Sequence, residues 1–537
     1  MSDPIGNIVH VSGYAVEGVV LVPSGMNPAK DHERMPRMGS LVRIETPSSI
    51  VYGTISSLEL RVNSTPSEYG FEAAAKIDLL GELVQGRDGP DDWRFQRGVA
   101  VYPVLGSPIA LASMDEIARI YTRPNAPCFR IGMLYQNRSV PVFVKTNEML
   151  GKHFAVLGTT GSGKSSTVVL ILSAMLEAMP KAHVVLIDPH DEYTHAFADL
   201  AEVINQESLK LPYWFMNHEE LCEIFCSKNT NSTDAERLIL KDAISEARRQ
   251  FMGENPYYVP NVDTPVPFRI QLCYKMIEEA MGRLDKPEGI QPYLRLLTRI
   301  DSLKNDSRYE FMFQGISITD NMVPVLQRIL RRPVNGKPMT ILNMAGVPAE
   351  VADVVISFVC RTILATGVWA DDPRIAPVLL VCEEAHRYVP KEEHMGFGPT
   401  RRAIAAIAKE GRKYGISLGL ITQRPAEISE SILSQCGTLF ALRLSSDKDQ
   451  AYIKHALPEG SEGFMKILPT LRTQEAVILG EGADMPMRVK LDDLPADRRP
   501  RSETANFAHA WKVGEDNPDA LVQTVENWRR QSKSQSR

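Results

Sequence analysis

The chain has 537 residues, of which 44% are hydrophobic and 23% charged, ordinary proportions for a globular protein. This excludes a fibrous or wholly disordered chain and leaves room for roughly three or four domains. Lys and Arg number 60 against 66 Asp and Glu, a net charge of −6. That balance excludes a surface coated with nucleic-acid-binding charge, though not a basic channel within an assembly.

Residues 1–145 predict short strands. Leu41–Glu45 and Val51–Ile55 flank the turn-prone Thr46-Pro47-Ser48-Ser49, and Gly98–Pro103 and Arg130–Leu134 are further short runs. Strands this short and closely spaced predict a small β-barrel or sandwich. The opening MSDPIGNIVH lacks the basic-then-apolar layout of a secretion signal. No segment reads as the ~18 apolar residues of a membrane span. The expectation is a cytoplasmic protein with no membrane partner.

The pattern changes near residue 150. Phe154–Leu157 is an apolar run suited to a buried strand, a Gly-rich turn follows, and an apolar helix is predicted from about Ser165 to Met179. Val184–Ile187 is a second buried strand, ending at Asp188. Strand, helix and strand at this spacing make a βαβ unit and imply a parallel sheet. Helical periodicity then dominates: Leu221–Phe225, Ala235–Phe251, Phe268–Met281, Pro292–Leu303 and Met322–Arg331. Residues 205–335 are therefore expected to be a helical insertion in an α/β core of 146–204 and 336–491. The sheet resumes with Thr340–Met344, Val378–Cys382, Ile416–Ile421, Thr438–Leu444 and Ala476–Leu479. Residues 492–537 are rich in Pro and charge, and Arg529–Arg537 are expected to be disordered. The seven cysteines follow no disulfide or zinc pattern. Cys222 and Cys226 lie one turn apart with no second pair or histidine cluster beside them, and are expected to be free thiols.

The chemistry begins at Gly158-Thr159-Thr160-Gly161-Ser162-Gly163-Lys164-Ser165, with Ser166 behind it. This is a complete G-x-x-x-x-G-K-[ST] between a predicted strand and a predicted helix. Glycines let such a loop curl so that backbone N–H groups point inward at phosphate oxygens, and the helix N-terminus adds its positive end. Lys164 is expected to reach the β- and γ-phosphates and the Ser165 hydroxyl to hold Mg²⁺, so ATP and Mg²⁺ are the expected cofactors. Val378–Cys382 runs into Glu383-Glu384-Ala385-His386. Two acids at a strand end suit hydrolysis: Glu383 toward the metal through water, Glu384 toward the attacking water. Gln423 follows another strand, where it would sense the γ-phosphate or orient that water. His386 reads as a hydrogen-bonded coupling residue.

Arg401–Lys413 reads as a basic helix with Arg401, Ala405, Ala408 and Arg412 on one face. It is either a solvated face or the source of an arginine finger for a neighbour's nucleotide, with Arg412 ahead of Lys409 and Lys152 a weaker second candidate. The Gly- and Pro-rich Lys391–Pro399 segment, with Lys391 and His394, is a surface loop or, in a ring, a pore lining that tracks DNA together with Arg401 and Arg402.

With these elements in order, the sequence resembles the HerA family of hexameric DNA translocases, relatives of FtsK. The resemblance runs over about residues 130–490. It rests on Lys152–Gly158 leading into the phosphate loop, Ile187-Asp188-Pro189-His190-Asp191-Glu192-Tyr193, Glu383–His386, Glu410–Gly415 and Thr422–Pro425. It implies a RecA-like P-loop core with an N-terminal barrel, assembled as a homohexamer that moves double-stranded DNA through its channel. A nuclease or NAD-hydrolysing effector as partner, in DNA processing or antiviral defence, is also implied, as is a brace near Phe507 and Trp511. Asp191 departs from a glycine common in the family. A ring that only assembles and gates its effector is the alternative, favoured by the acidic net charge; a conjugation or secretion motor is a third option.

Overall fold

The N-terminal strands alternate buried and exposed side chains, the pattern of a sheet with one dry face. In the computed structural model they are β1 (Pro4–Val11), β2 (Ala15–Val22), β3 (Leu41–Glu45), β4 (Ser49–Leu60), β5 (Phe71–Gln85), β6 (Trp93–Arg97) and β7 (Pro108–Leu111). They pair antiparallel in the order β2-β1-β7-β3-β4-β5-β6, and β2 pairs with β5 as well. The extra pairing closes six strands into a barrel, while β6 extends the far end of β5. Closure satisfies edges that would otherwise be open. Val16, Val20, Val42, Ile44, Val51 and Ile77 are among the side chains that fill it.

The structure describes residues 3–22, 35–60, 71–85, 93–227, 233–253, 259–283, 287–313, 319–392, 394–456, 462–501, 507–514 and 518–530. The chain divides into two units: Met1–Pro180 with Glu384–Glu392 and Ser417–Ala496, and Lys181–Glu383 with Glu393–Ile416 and Asp497–Arg537.

The barrel stops earlier than expected. β8 (Cys128–Leu134) and β9 (Pro141–Lys145) belong to another sheet, and β10 (Phe154–Leu157) follows them. Strand patterning shows that a segment pairs, not with which partner. The second unit carries β11 (His183–Asp188), β12 (Ala201–Ile204), β13 (Met339–Asn343) and β14 (Val378–Cys382), all parallel in the order β12-β13-β11-β14. The first unit continues with β15 (Ile416–Thr422), β16 (Thr438–Ala441), β17 (Glu475–Gly480) and β18 (Met487–Leu491), in the order β15-β10-β16-β17-β18-β8-β9. There β15, β10 and β16 run parallel, and every pair beyond β16 is antiparallel. The sheet is thus mixed where a parallel one was expected. The short links Glu481–Pro486 and Tyr135–Val140 can only make hairpins, because a parallel return needs a dozen or more residues.

The helices up to residue 410 are α1 (Met114–Ile120), α2 (Thr146–Gly151), α3 (Lys164–Ala178), α4 (His218–Phe225), α5 (Thr233–Met252), α6 (Ile270–Met281), α7 (Pro287–Lys304), α8 (Glu310–Phe313), α9 (Met322–Leu330), α10 (Ala349–Val368) and α11 (Gly398–Glu410). The insertion between β12 and β13 is helical as predicted. Fully buried Arg248 on α5 anchors it by donating to the Trp214 and Met216 carbonyls at 3.0 and 3.1 Å. α10 was not foreseen. It is long and apolar enough to cross a membrane by length and composition, contrary to expectation, yet 61% of that window is buried inside the structure. Its uniform hydrophobicity is that of a helix covered on several sides, which removes the periodic signal. Helices at Phe507–Val513 and Pro518–Arg530 end the described chain, so only Arg529 and Arg530 of the tail expected to be disordered are described, and both are helical. Residues 531–537 lie outside the described residues.

Candidate nucleotide site

Residues 158–165 turn between β10, buried at every position, and α3. Gly161 and Gly163 have φ of 73° and 96°, a region that only glycine enters readily. A Cβ on Gly158 would lie 2.5 Å from Ser162 Oγ and 2.9 Å from Leu442 Cβ, so the close approach there also requires glycine. The loop is tied at its base: Thr159 donates its N–H and its hydroxyl to the Arg443 carbonyl at 2.9 and 3.0 Å. Ser162 donates its hydroxyl to the Thr159 carbonyl at 2.6 Å. Lys164 lies with its Nζ 3.4 Å from the same carbonyl and is 9% exposed. The first turn of α3 holds no acidic side chain, and Gly163 gives its N-terminus no side-chain cap. Its leading N–H groups are therefore suited to an anion.

Two predicted residues join this loop in the same unit. Thr160 donates its hydroxyl to Gln423 Oε1 at 2.5 Å, and Gln423 Nε2 donates to Glu384 Oε1 at 3.0 Å. A single amide thus connects the loop to the carboxylate. Glu384 is buried and sits in the left-handed region at φ 53°. Among the described residues its Oε2 has no hydrogen-bond partner. His386 Nδ1 comes within 3.2 Å of that oxygen without the alignment of a hydrogen bond, and lies 3.1 Å from Thr422 Oγ1. Burial holds the His386 ring below the usual imidazole range. The ring is neutral near pH 7 and gives the carboxylate no full positive charge. A buried carboxylate oxygen with room for one more donor is what an attacking water needs from a base.

Glu383 belongs to the other unit. It is 3% exposed, and its N–H donates to the Ile187 carbonyl of β11 at 3.2 Å. The buried Tyr193 hydroxyl donates to Glu383 Oε2, which leaves Oε1 as the oxygen not engaged by that phenol. Burial together with this carboxylate pushes the phenol well above its ordinary range, so it stays a donor. Tyr193 is placed by Asp188, which accepts the N–H groups of His190, Glu192 and Tyr193 at 3.2, 3.2 and 3.0 Å. Sequence reasoning quoted this segment but gave Tyr193 and Asp188 no role. The only signal was an acid at a strand end with a tyrosine five residues on.

The basic residues are less uniform than predicted. α11 stops at Glu410, and Gly411–Tyr414 winds as a 3₁₀ turn. Ala408 is buried, so Arg401, Ala405, Ala408 and Arg412 do not form one solvent face. Lys409 and Arg412 are exposed. Arg402 is paired with Glu219. Lys391 lies over the Tyr452 ring at 5.5 Å, and Lys152 is bound to Glu481 at 2.5 Å. His394 is exposed, and Glu393 lies outside the described residues.

Residues 129–363 match the family described as Helicase HerA, central domain. The DNA double-strand break repair helicase HerA of Pyrococcus furiosus is 25% identical over 475 residues, 82% of each chain. The protein of the same description from Sulfurisphaera tokodaii is 26% identical over 517 residues, 94% of this chain and 95% of that one. The chain is similar to the HerA helicases over most of its length. A solved structure of VirB4 of Thermoanaerobacter pseudethanolicus superposes with a TM-score of 0.50 and 18% identity, covering 70% of this chain and 99% of that one, a likeness of fold. The architecture is mixed α/β, a RecA-like sheet preceded by a barrel. The fold also accounts for Asp191, which stands where the HerA pattern commonly has glycine. Asp191 has φ 60°, a conformation that glycine adopts freely and Asp tolerates, and its Oδ1 accepts from Asn343 Nδ2 at 2.7 Å.

Proposed function

We propose that this chain is an ATP-driven DNA helicase motor that works on double-stranded DNA as a ring of six copies. The observation that carries the proposal is buried Glu384, whose Oε2 has no hydrogen-bond partner among the described residues and whose Oε1 is held by Gln423, the other end of which meets Thr160 of the phosphate loop. The helicase descriptions of the HerA relatives support it.

The residues divide the work. Gly158–Ser166 wraps the triphosphate with N–H groups, and Lys164 moves from the loop carbonyl to the β- and γ-oxygens. Ser165 and Glu383 are oxygen donors of the kind that suit a hard cation such as Mg²⁺. The ion, when bound, neutralises charge on the phosphates. Glu384 Oε2 accepts the proton of the attacking water, and Gln423 fixes the carboxylate's orientation and signals the state of the γ-phosphate through Thr160. Arg412, with Lys409 behind it, reaches a neighbouring copy's nucleotide. Lys391, His394, Arg401 and Arg402 follow DNA, with Arg402 and Lys391 exchanging their present partners for phosphates. The site of action is the cytoplasm. A nuclease or NAD-hydrolysing effector completes the system, in DNA processing or antiviral defence.

The test is ATP hydrolysis by purified protein with and without duplex DNA, followed by strand displacement. The expected outcome is DNA-stimulated hydrolysis with directional displacement, both abolished by Lys164→Ala. Hydrolysis without stimulation or displacement, even with the effector present, would leave the reading of a ring that only gates its partner.

A further inference from the structure

α10 opens with an acidic stripe. Glu350, Asp353 and Val354 stand at i, i+3 and i+4, and so share one face of its first turns. That face lines a cavity of about 360 Å³ together with Glu223 and Phe225 of α4, Arg299 of α7, Tyr309 and Phe397. The cavity lies wholly within the second unit, and none of the residues given to the nucleotide lines it. Cys226, which caps the end of α4, lines it as a free thiol; Cys222 is free as well, as expected.

The charges of the lining do not balance. Three carboxylates, Glu223, Glu350 and Asp353, face one guanidinium, Arg299. Arg299 Nε is already engaged, donating to the Ile224 carbonyl at 3.1 Å. Glu223 meets Arg237 only at 3.9 Å. Among the described residues Glu350 makes no hydrogen bond and no ion pair. An excess of carboxylates in a concave site draws cations.

Acids alone would be a solvated rim, and Tyr309 makes the difference. It is 3% exposed, and its hydroxyl has no hydrogen-bond partner among the described residues. The little of Tyr309 that is exposed includes the hydroxyl oxygen, which therefore opens into the cavity the residue lines. A tyrosine this deeply buried ordinarily has a partner for its hydroxyl. Burial, and after it the charge of Glu350, pushes the phenol above its ordinary range, so it keeps its proton and its oxygen remains an acceptor.

The geometry also selects the kind of cation. Among the described residues no three His, Cys, Asp or Glu side chains are grouped to hold a metal ion, so the lining acids stand too far apart to share one. A head with several N–H donors can meet separate acceptors. Ile224 and Val354 supply apolar wall for a stem, and Phe225 and Phe397 supply rings for a cation to lie against. The volume is at the lower end of the roughly 300–1,000 Å³ of small-ligand pockets.

We propose that this cavity binds an organic cation, a guanidinium or ammonium head on a short alkyl stem. Glu350, Glu223 and Asp353 balance its charge, and the Tyr309 oxygen accepts a hydrogen bond from the head. The head comes either from a free alkylamine or from an Arg or Lys side chain of a second copy of this chain. Phe397 immediately precedes α11, so an occupied cavity also holds the start of that helix.

Equilibrium dialysis of the full-length protein against agmatine, a butyl chain with a guanidinium at one end and an ammonium at the other, tests this. Saturable binding at one site per chain is expected. N-butylurea keeps the planar head and the stem but not the charge, and is expected to compete at least about tenfold more weakly. Glu350→Gln is expected to weaken agmatine binding by about tenfold and Tyr309→Phe by about threefold. Glu279→Gln, which removes an exposed acid on α6, is expected to leave it unchanged. Sedimentation velocity with and without agmatine separates the two sources. A smaller assembly in agmatine assigns the cavity to a side chain of a second copy, and an unchanged one assigns it to a free amine. The proposal is overturned if wild-type protein shows no saturable binding of agmatine up to about 1 mM. It is equally overturned if N-butylurea competes as well as agmatine does, or if Glu350→Gln and Glu279→Gln weaken binding alike. The first two readings use wild-type protein, so they stand even where a variant does not fold.

Discussion

Glu384 is the residue on which hydrolysis turns. Its Oε1 is taken by Gln423 and its Oε2 is open. Glu384→Gln keeps shape, backbone preference and the bond from Gln423, but replaces the open acceptor with an amide donor. Hydrolysis should fall by about 10²-fold or more, the range of a lost general base, while nucleotide affinity stays within about threefold. Single-turnover hydrolysis beside equilibrium nucleotide binding checks this, and retained hydrolysis would move the base elsewhere. Tyr193 acts one step further out. Tyr193→Phe removes the donor to Glu383 Oε2 and changes little else in a buried site. If Glu383 serves the metal, the Mg²⁺ concentration at half-maximal hydrolysis should rise about tenfold, as for other partners of metal-binding groups. An unchanged Mg²⁺ dependence with a lower rate would confine Tyr193 to packing.

At the scale of elements, the legible parts were those whose physics is local. A phosphate loop is a contiguous run of residues whose glycines, lysine and serine act through the backbone they sit on. The amphipathic insertion helices carry their period in the sequence. The rest depends on partners far along the chain. Nothing local assigns β8 to β18 and not to the barrel, ends α11 at Gly411, or brings Tyr193 to Glu383. Partnership also governs α4, whose buried Glu220 is the N3 acid of a capping box with Asn217 and accepts from Arg361 Nε at 3.0 Å and Ser357 Oγ at 3.1 Å on α10. Arg361→Ala leaves that carboxylate buried without its cation, at a cost of about 3 kcal/mol or more. Glu220→Gln in the same chain should recover part of the loss, because a neutral amide tolerates burial better than a charge. Denaturant unfolding of the single and double variants measures both. A double variant no more stable than the single one would show that Arg361 contributes through packing and its bond to the Phe215 carbonyl.

At the scale of the whole molecule, the C-terminal helices present Phe507, Trp511, Leu521, Val522 and Trp528, each more than half exposed. Apolar surface of this extent is normally covered in an assembly. The proposed ring makes a sharper demand on Arg412. If its guanidinium serves a neighbour's nucleotide, a Lys164→Ala copy still donates a sound finger and an Arg412→Ala copy still offers a sound phosphate loop. Each variant alone should be inactive. In rings mixed at equal ratio, about one interface in four joins the two sound halves, so roughly a quarter of wild-type hydrolysis should return if the sites act independently. If Arg412 instead serves its own subunit's nucleotide, every site in the mixture carries a defect and nothing returns. Hydrolysis measured across a series of mixing ratios separates the two, because shared sites give a maximum at the midpoint and unshared sites give a flat baseline.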